Sequence, residues 1–425
     1  MIAWLLISFF VLLFLGVPIA MSLGLSAIGG ILFLGGGSTV TIAQRMFEGM
    51  NSFALLAIPL YTFAGFTMSK GGISKRLMDF CYSIVGHIYG GLAHVNVLSS
   101  MIFAGISGSA VADTAGVSGM FMPEMVRKGY SKNFTVAVTA ISSTIGIIIP
   151  PSIPMVVIAG ICGISTGKLF LGGIIPGILC GLAQMIVSYF MAKKEGVPKE
   201  PGHFTIGPVL HGLWESWPAL LMPIIIVGTI TMGIVSPTEA GVIAVVYGLF
   251  AGGIIYRELK WEDIKFAFAE TVRTSGRIFI VIGAAKLYTV MLTTAGFDKW
   301  VAKTMLGFST NPTVILIMIL LIFFIVTMFM ESIATLTLFM PILYPIALGV
   351  GINPIVLSVL ITVVIGVGLV TPPVGMCIYV ACDLMDVTVG EVFPTLVPFI
   401  AATFVCIALM VAFPQLILLP TYLMA

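Results

Sequence analysis

Ile145-Gly-Ile-Ile-Ile-Pro-Pro-Ser152 and Val367-Gly-Leu-Val-Thr-Pro-Pro-Val374 are two apolar runs, 222 residues apart, that each close on a proline pair. A proline removes the amide that would bond the carbonyl four residues back. The pairs therefore free the carbonyls of Gly146 and Ile147 in one run, and of Gly368 and Leu369 in the other. A free carbonyl among apolar residues is costly unless it faces protein, water or an ion, and a dehydrated Na⁺ is a good partner. The half-helix that starts at the prolines aims the positive end of its dipole at the same place, which suits an anion. Either run alone reads more readily as a plain kink solvated by a neighbouring helix. Two breaks in corresponding positions are the pattern of a secondary transporter.

The correspondence extends along the chain. Phe-Met-Pro occurs at 121–123 and 339–341, and an acid, Asp113 or Glu331, stands ten residues before each of those prolines. Gly72-Ile-Ser-Lys75 matches Gly296-Phe-Asp-Lys299, and Pro18 matches Pro237. Five matches in one order, at offsets of 218–224, mark an internal duplication. The halves are 1–192 and 216–425, joined by a polar linker, 193–215.

Composition sets the solvent. Of 425 residues, 59% are hydrophobic and 8% charged, where a soluble domain carries roughly 25% charged residues. So few charges cannot cover a water-facing surface, which excludes soluble enzymes and scaffolds, and a net charge of +2 is no nucleic-acid footprint. The expected class is an all-α polytopic membrane protein. Residues 332–382 alone hold no charged side chain, enough for two crossings at about 20 residues each. The six cysteines form no CxxC pair and read as small packing residues. Met1–Leu15 lacks the basic flank of a signal peptide and reads as a first helix.

Crossings are expected near 2–16, 18–36, 52–68, 134–163, 169–191, 218–234, 237–255, 276–294, 355–384 and 395–417. Residues 91–125 and 312–348, interrupted by polar or small residues, read as re-entrant helical hairpins. Residues 74–88 and 298–306 are short and amphipathic, as interfacial arms would be. Five crossings separate the repeated elements 18–36 and 237–255, an odd number, so the second repeat is inverted. This count puts 14 basic residues on one side and four on the other, with Lys286 left near a helix. The basic side is then cytoplasmic, the linker with it, and both termini are periplasmic. Trp214, Trp217, Trp261 and Trp300 stand beside expected span ends as interface anchors.

An acid inside a membrane segment is a functional candidate by default, and equally a capped group that fixes a hairpin tip. Asp113 and Glu331 carry both readings. Thr139, Ser142 and Thr362 read as helix-packing residues, whereas Ser143 and Thr144 are placed to line a site. The four histidines have no metal-site spacing, and no nucleophile elbow or Walker sequence is present.

Leu55-Leu-Ala-Ile-Pro-Leu60, Gly71-Gly-Ile-Ser-Lys-Arg76, Ser107-Gly-Ser-Ala-Val-Ala-Asp113 and the two Pro-Pro segments resemble the large membrane subunit of tripartite ATP-independent periplasmic (TRAP) transporters. The resemblance covers essentially the whole chain and leans towards the sialic-acid branch. It implies an elevator-type architecture in the bacterial inner membrane and Na⁺-coupled uptake of organic acids, such as C4-dicarboxylates. It also implies a small four-helix membrane partner and a periplasmic binding protein that delivers the solute. One Na⁺ site is implied at Ser107, Gly108, Ser109, Gly146, Ile149 and Pro150. A second is implied at Glu331, Ser332, Thr335, Gly366, Gly368 and Thr371, although the second tip lacks a Ser-Gly-Ser match. The carboxylated substrate is expected between them, against Asp113, Ser143, Thr144, Pro151 and Pro373. A channel, and a membrane-embedded enzyme using Asp113 and Glu331 as an acid pair, are the alternatives.

Overall fold

Helix starts in this chain are written in short polar residues followed by proline. Asn311, Asn353 and Ser236 each cap a helix whose first residue is proline: Pro312, Pro354 and Pro237. The cap oxygen accepts a backbone amide left open at the first turn, and proline there forfeits no hydrogen bond. The computed structural model describes residues 1–34, 39–197 and 205–423, and no strand occurs among them.

The first half runs α1 (Ile2–Phe14), α2 (Ile19–Leu34), α3 (Thr39–Met50), α4 (Ala57–Lys70), α5 (Ile73–Val85), α6 (Gly91–Ser107), α7 (Ala110–Arg127), α8 (Lys132–Ser143), α9 (Ile153–Cys162) and α10 (Thr166–Glu195). The second runs α11 (Ile206–Thr231), α12 (Pro237–Phe250), α13 (Trp261–Thr294), α14 (Phe297–Phe308), α15 (Pro312–Thr327), α16 (Ser332–Gly349), α17 (Pro354–Gly368), α18 (Met376–Met385) and α19 (Val389–Ala412), with a short α20 (Gln415–Leu418). The order of elements repeats. In each half an arm (α5, α14) leads into a helical hairpin (α6–α7, α15–α16) and then a helix broken at the proline pair (α8–α9, α17–α18).

Seven helices among the described residues are long and apolar enough to cross a membrane. Six coincide with expected crossings; the seventh is α16, an arm of the second hairpin. Two features differ from the sequence reading. The linker is shorter than expected: α10 continues to Glu195 and α11 already starts at Ile206, while 198–204, Lys199 included, lie outside the described residues. The crossing at 276–294 is the second half of a continuous 34-residue helix, about 51 Å long at 1.5 Å per residue. Its charged first half, which lay outside the expected crossing, belongs to the same helix. The corresponding part of the first half is split, at Asn51–Leu56, into amphipathic α3 and apolar α4.

Two groups of helices result. α13 packs on α2, α3 and α4, α12 packs on α4, and α1 on α2. The hairpins and broken helices form the other group, and here the halves interleave: α18 packs on α7 and α8, α16 on α9, and α19 on α8 and α10. The arms run between the groups, α5 packing on both α11 and α6 and α14 on both α13 and α16, and the groups also touch directly where α13 packs on α16 and α4 on α6. Arm α5 is fastened at its start by Arg76, which pairs with Glu258 at 2.7 Å and lies over the Tyr256 ring at 4.3 Å.

Glycines set the closest approaches. A Cβ on Gly173 of α10 would lie 2.2 Å from the Ile148 carbonyl oxygen, a backbone atom that cannot swing away. Gly173→Val should destabilise the fold by about 1–3 kcal/mol, the usual cost of overpacking. A lowered melting temperature of the detergent-purified protein, against an unchanged Gly207→Ala control where nothing lies within 4 Å, checks it.

Candidate functional site

The tip of the first hairpin is Gly108-Ser109. Gly108 adopts φ +65°, which turns its carbonyl out of the helix end. That carbonyl accepts the Ile153 amide of the broken helix at 3.2 Å. A Cβ at Gly108 would lie 2.6 Å from Pro151 O, so only glycine lets the tip seat here. Ser109 caps α7, accepting the Ala112 amide at 3.4 Å. Ser107 donates its hydroxyl to Asp113 Oδ1 in a short bond. Asp113 is buried, and its Oδ2 has no hydrogen-bond partner among the described residues. That oxygen lies against Gly146, where a Cβ would clash with it.

The breaks themselves revise one expectation. Of the four carbonyls freed by the prolines, three find partners inside the chain. Ser152 Oγ donates to Ile147 O at 2.5 Å, Thr371 N–H to Gly368 O at 3.1 Å, and Cys377 N–H to Leu369 O at 2.9 Å. Gly146 is the one whose carbonyl takes no hydrogen bond among the described residues. Its open oxygen and the bare Oδ2 of Asp113 belong to one small region. Ile149 and Pro150 follow in the same break, Ile149 sending its side chain against Gly177 of α10.

The second tip is built differently. Glu331 is the N-cap of α16, accepting the Ile333 and Ala334 amides at 2.9 and 3.3 Å and the Ser332 hydroxyl at 2.6 Å. Thr335 donates to Glu331 O at 3.1 Å. Glu331 is thus a capping acid, one of the two roles open to it from sequence. Thr371 donates its hydroxyl to Val367 O at 2.7 Å. The residue set against Gly368 is Thr327, missing from the expected site, whose hydroxyl lies where a Gly368 Cβ would be. The repeat offset contained the signal: Thr327 is 220 residues after Ser107, and each ends the first arm of its hairpin. Tip and break close through Val374 N–H donating to Met328 O at 3.0 Å.

Ser143 and Thr144 are buried and committed. Ser143 Oγ lies 2.5 Å from Thr114 Oγ1 and donates to Ala140 O, while Thr144 donates to Ile141 O at 2.7 Å. Thr144 also sits against Gly366 of α17, which brings the two breaks together. Pro373 O accepts the Tyr379 hydroxyl at 3.2 Å on the exposed side. The structure therefore joins Ser107, Gly108, Asp113, Gly146 and Pro151 in one constellation. Gly366, Gly368 and Thr371 lie in the facing break, and Glu331, Ser332 and Thr335 form the cap of α16.

Residues 6–416 match the family model described as "Tripartite ATP-independent periplasmic transporter, DctM component". The chain belongs to this family. The isethionate TRAP transporter permease protein DctMQ of Oleidesulfovibrio alaskensis is 37% identical over 92% of the chain, which spans 62% of that protein's length. The sialic acid TRAP transporter large permease protein SiaM of Vibrio cholerae is 35% identical, with 96% of this chain and 95% of that protein covered. The C4-dicarboxylate TRAP transporter large permease protein DctM of Pseudomonas aeruginosa is also 35% identical, over 95% and 94%. The solved YdaH transporter of Alcanivorax borkumensis shares the fold at TM-score 0.59 and 13% identity, covering 89% of this chain and 88% of that one. The permease is thus a multi-pass inner-membrane protein of a solute transporter and not an enzyme.

Gly146→Ala pushes a methyl into Asp113 Oδ2, and Gly368→Ala pushes one into Thr327. Both should lower solute uptake by the reconstituted transporter, each at a stability cost of about 1–3 kcal/mol. Uptake at wild-type rate by purified Gly146→Ala protein would show that the Asp113 position is immaterial.

Proposed function

We propose that this permease is the transport subunit of a Na⁺-coupled uptake system for a carboxylated organic solute, working by an elevator movement with both termini in the periplasm. The observation that carries the cation is the Asp113 carboxylate. One oxygen is held by Ser107; the other is buried, without a partner among the described residues, and lies against Gly146. A buried unpaired charge is strongly unfavourable until a counter-charge arrives. A carboxylate, a hydroxyl and carbonyls form a hard-oxygen set of the kind small cations take. Na⁺ there neutralises Asp113 and leaves the neighbouring dipole of α9, capped at Ser152, free to attract the solute carboxylate. The break around Gly366, Gly368, Thr371 and Thr327 supplies the second cation site in this reading.

The solute class rests on the family. The relatives' names span isethionate, which is a sulfonate, and the carboxylates sialic acid and C4-dicarboxylate at nearly equal identity, so similarity supports an organic anion and singles out neither the carboxylate nor the sialic-acid branch. A small membrane subunit and a periplasmic binding protein complete the system. The elevator reading rests on the two helix groups and on the arms that join them.

Reconstitution with both partners under an imposed Na⁺ gradient tests this. Uptake should concentrate the organic acid above its external level only when Na⁺ flows inward. Ser107→Leu or Ser109→Leu, which fill the tip, should abolish that uptake in folded protein. Uptake that only equilibrates and ignores Na⁺ would instead indicate a channel. In the same vesicles, a cysteine replacing Lys193 should react with an impermeant thiol reagent only from the cytoplasmic face; labelling from outside would refute the inverted arrangement.

A further inference from the structure

The halves repeat their elements but hold their hairpins differently. In the first hairpin, Asn96 of α6 donates from Nδ2 to Thr139 Oγ1 of α8 at 2.7 Å and accepts Ser142 Oγ on Oδ1 at 3.0 Å. Ser100 adds a bond to Ser142 Oγ at 3.1 Å. From the other arm, Thr114 reaches Ser143. All six residues are buried, so α6 and α7 are both tied to α8 by polar bonds shut away from solvent.

The second hairpin has no such ladder. Val314–Val326 of α15 contains no polar side chain. Thr327, Thr335 and Thr337 spend their hydroxyls on carbonyls of their own hairpin. At the offset of the proline pairs, Thr139 and Ser142 correspond to Ile361 and Val364. Among the described residues, no side-chain hydrogen bond joins α15 or α16 to α17 or α18, and the backbone bond from Val374 to Met328 closes the tip.

We propose that the first hairpin is a fixed wall of the site, locked to its broken helix by the ladder keyed on Asn96, and that the second hairpin is the lid that opens to admit and release solute. The reason is the number of bonds each movement breaks. Parting the first hairpin from α8 breaks the four buried polar bonds of the ladder together, besides the tip bond from Ile153 to Gly108. Parting the second breaks the one backbone bond from Val374 to Met328. The inference rests on the transporter reading above, and Asn96 is a positioning residue in it.

Hydrogen–deuterium exchange on the intact complex in lipid nanodiscs, with NaCl replacing KCl, tests it directly. In K⁺, peptides from the arms at 314–326 and 336–348 should exchange several-fold faster than those at 92–104 and 114–126, and Na⁺ should slow only the former. Asn96→Ala should raise exchange at 92–104 alone. Equal responses from both hairpins would overturn the assignment. A second route joins lid to break through cysteines in place of Met328 and Val374. Oxidation should stop uptake and reduction restore it, whereas unchanged uptake with the crosslink fully formed would refute the lid. Failure of Na⁺-driven uptake in wild-type protein reconstituted in parallel would strike the coupling reading instead.

Discussion

Backbone polar groups beyond the reach of water must be satisfied inside the chain, and this constraint governs both breaks. Each proline pair opens a helix, the first among buried residues and the second beside exposed Pro373 and Val374, and the re-entrant hairpins supply part of the repair. Gly108 O receives the Ile153 amide, and Met328 O receives the Val374 amide. Where tip backbone does not reach, local groups do: Ser152 closes on Ile147 O and Cys377 on Leu369 O. A hairpin without its break would bury an unpaired tip, and a break without its hairpin would bury unpaired amides. The pairs are therefore obligatory, and the approach of Gly366 to Thr144 places both in one packed region.

The features that punctuate a helix were legible in the sequence, because proline, glycine and charge act locally. The arms expected at 74–88 and 298–306 are the helices Ile73–Val85 and Phe297–Phe308. Both hairpins and both breaks lie where the repeat placed them. Partner choice was not legible. That three freed carbonyls would be taken up depended on where Ser152, Thr371 and Cys377 came to rest in three dimensions. Asn96 and Thr139 are 43 residues apart, and no local pattern joins them. The charged start of α13 lay outside the expected crossing because Glu262, Asp263 and Lys265 break the apolar run, yet the acids Glu262 and Asp263 also suit the first turn of a helix.

Asymmetry between the repeats follows from the same chemistry. Interhelical hydrogen bonds in membranes average about 0.6 kcal/mol and reach about 1.7, so a ladder of several outweighs any single tip bond. The half with the ladder also carries the bare carboxylate. A site that must hold a charge in low dielectric needs walls that do not breathe, since each opening would admit water and weaken every interaction within. The apolar half has no such burden.

The two acids at matched positions show how environment divides their roles. Glu331 sits at a helix N-terminus with two amides and a hydroxyl on its oxygens, so both oxygens have partners within its own hairpin. Asp113 has one hydroxyl and a bare oxygen, so its charge must be met by a proton or a cation. In the proposed cycle the cation meets that charge, and this sets the order of binding. A solute carboxylate about 4 Å from an un-neutralised Asp113 would be opposed by about 4 kcal/mol at an effective dielectric of 20. That is roughly a thousandfold in affinity. In this reading Na⁺ bound at Asp113 cancels the repulsion and leaves the α9 dipole to attract the anion. In the proposed cycle the cation thus binds first and the solute second, and coupling there needs no long-range signal, only a carboxylate that cannot be buried alone beside another anion.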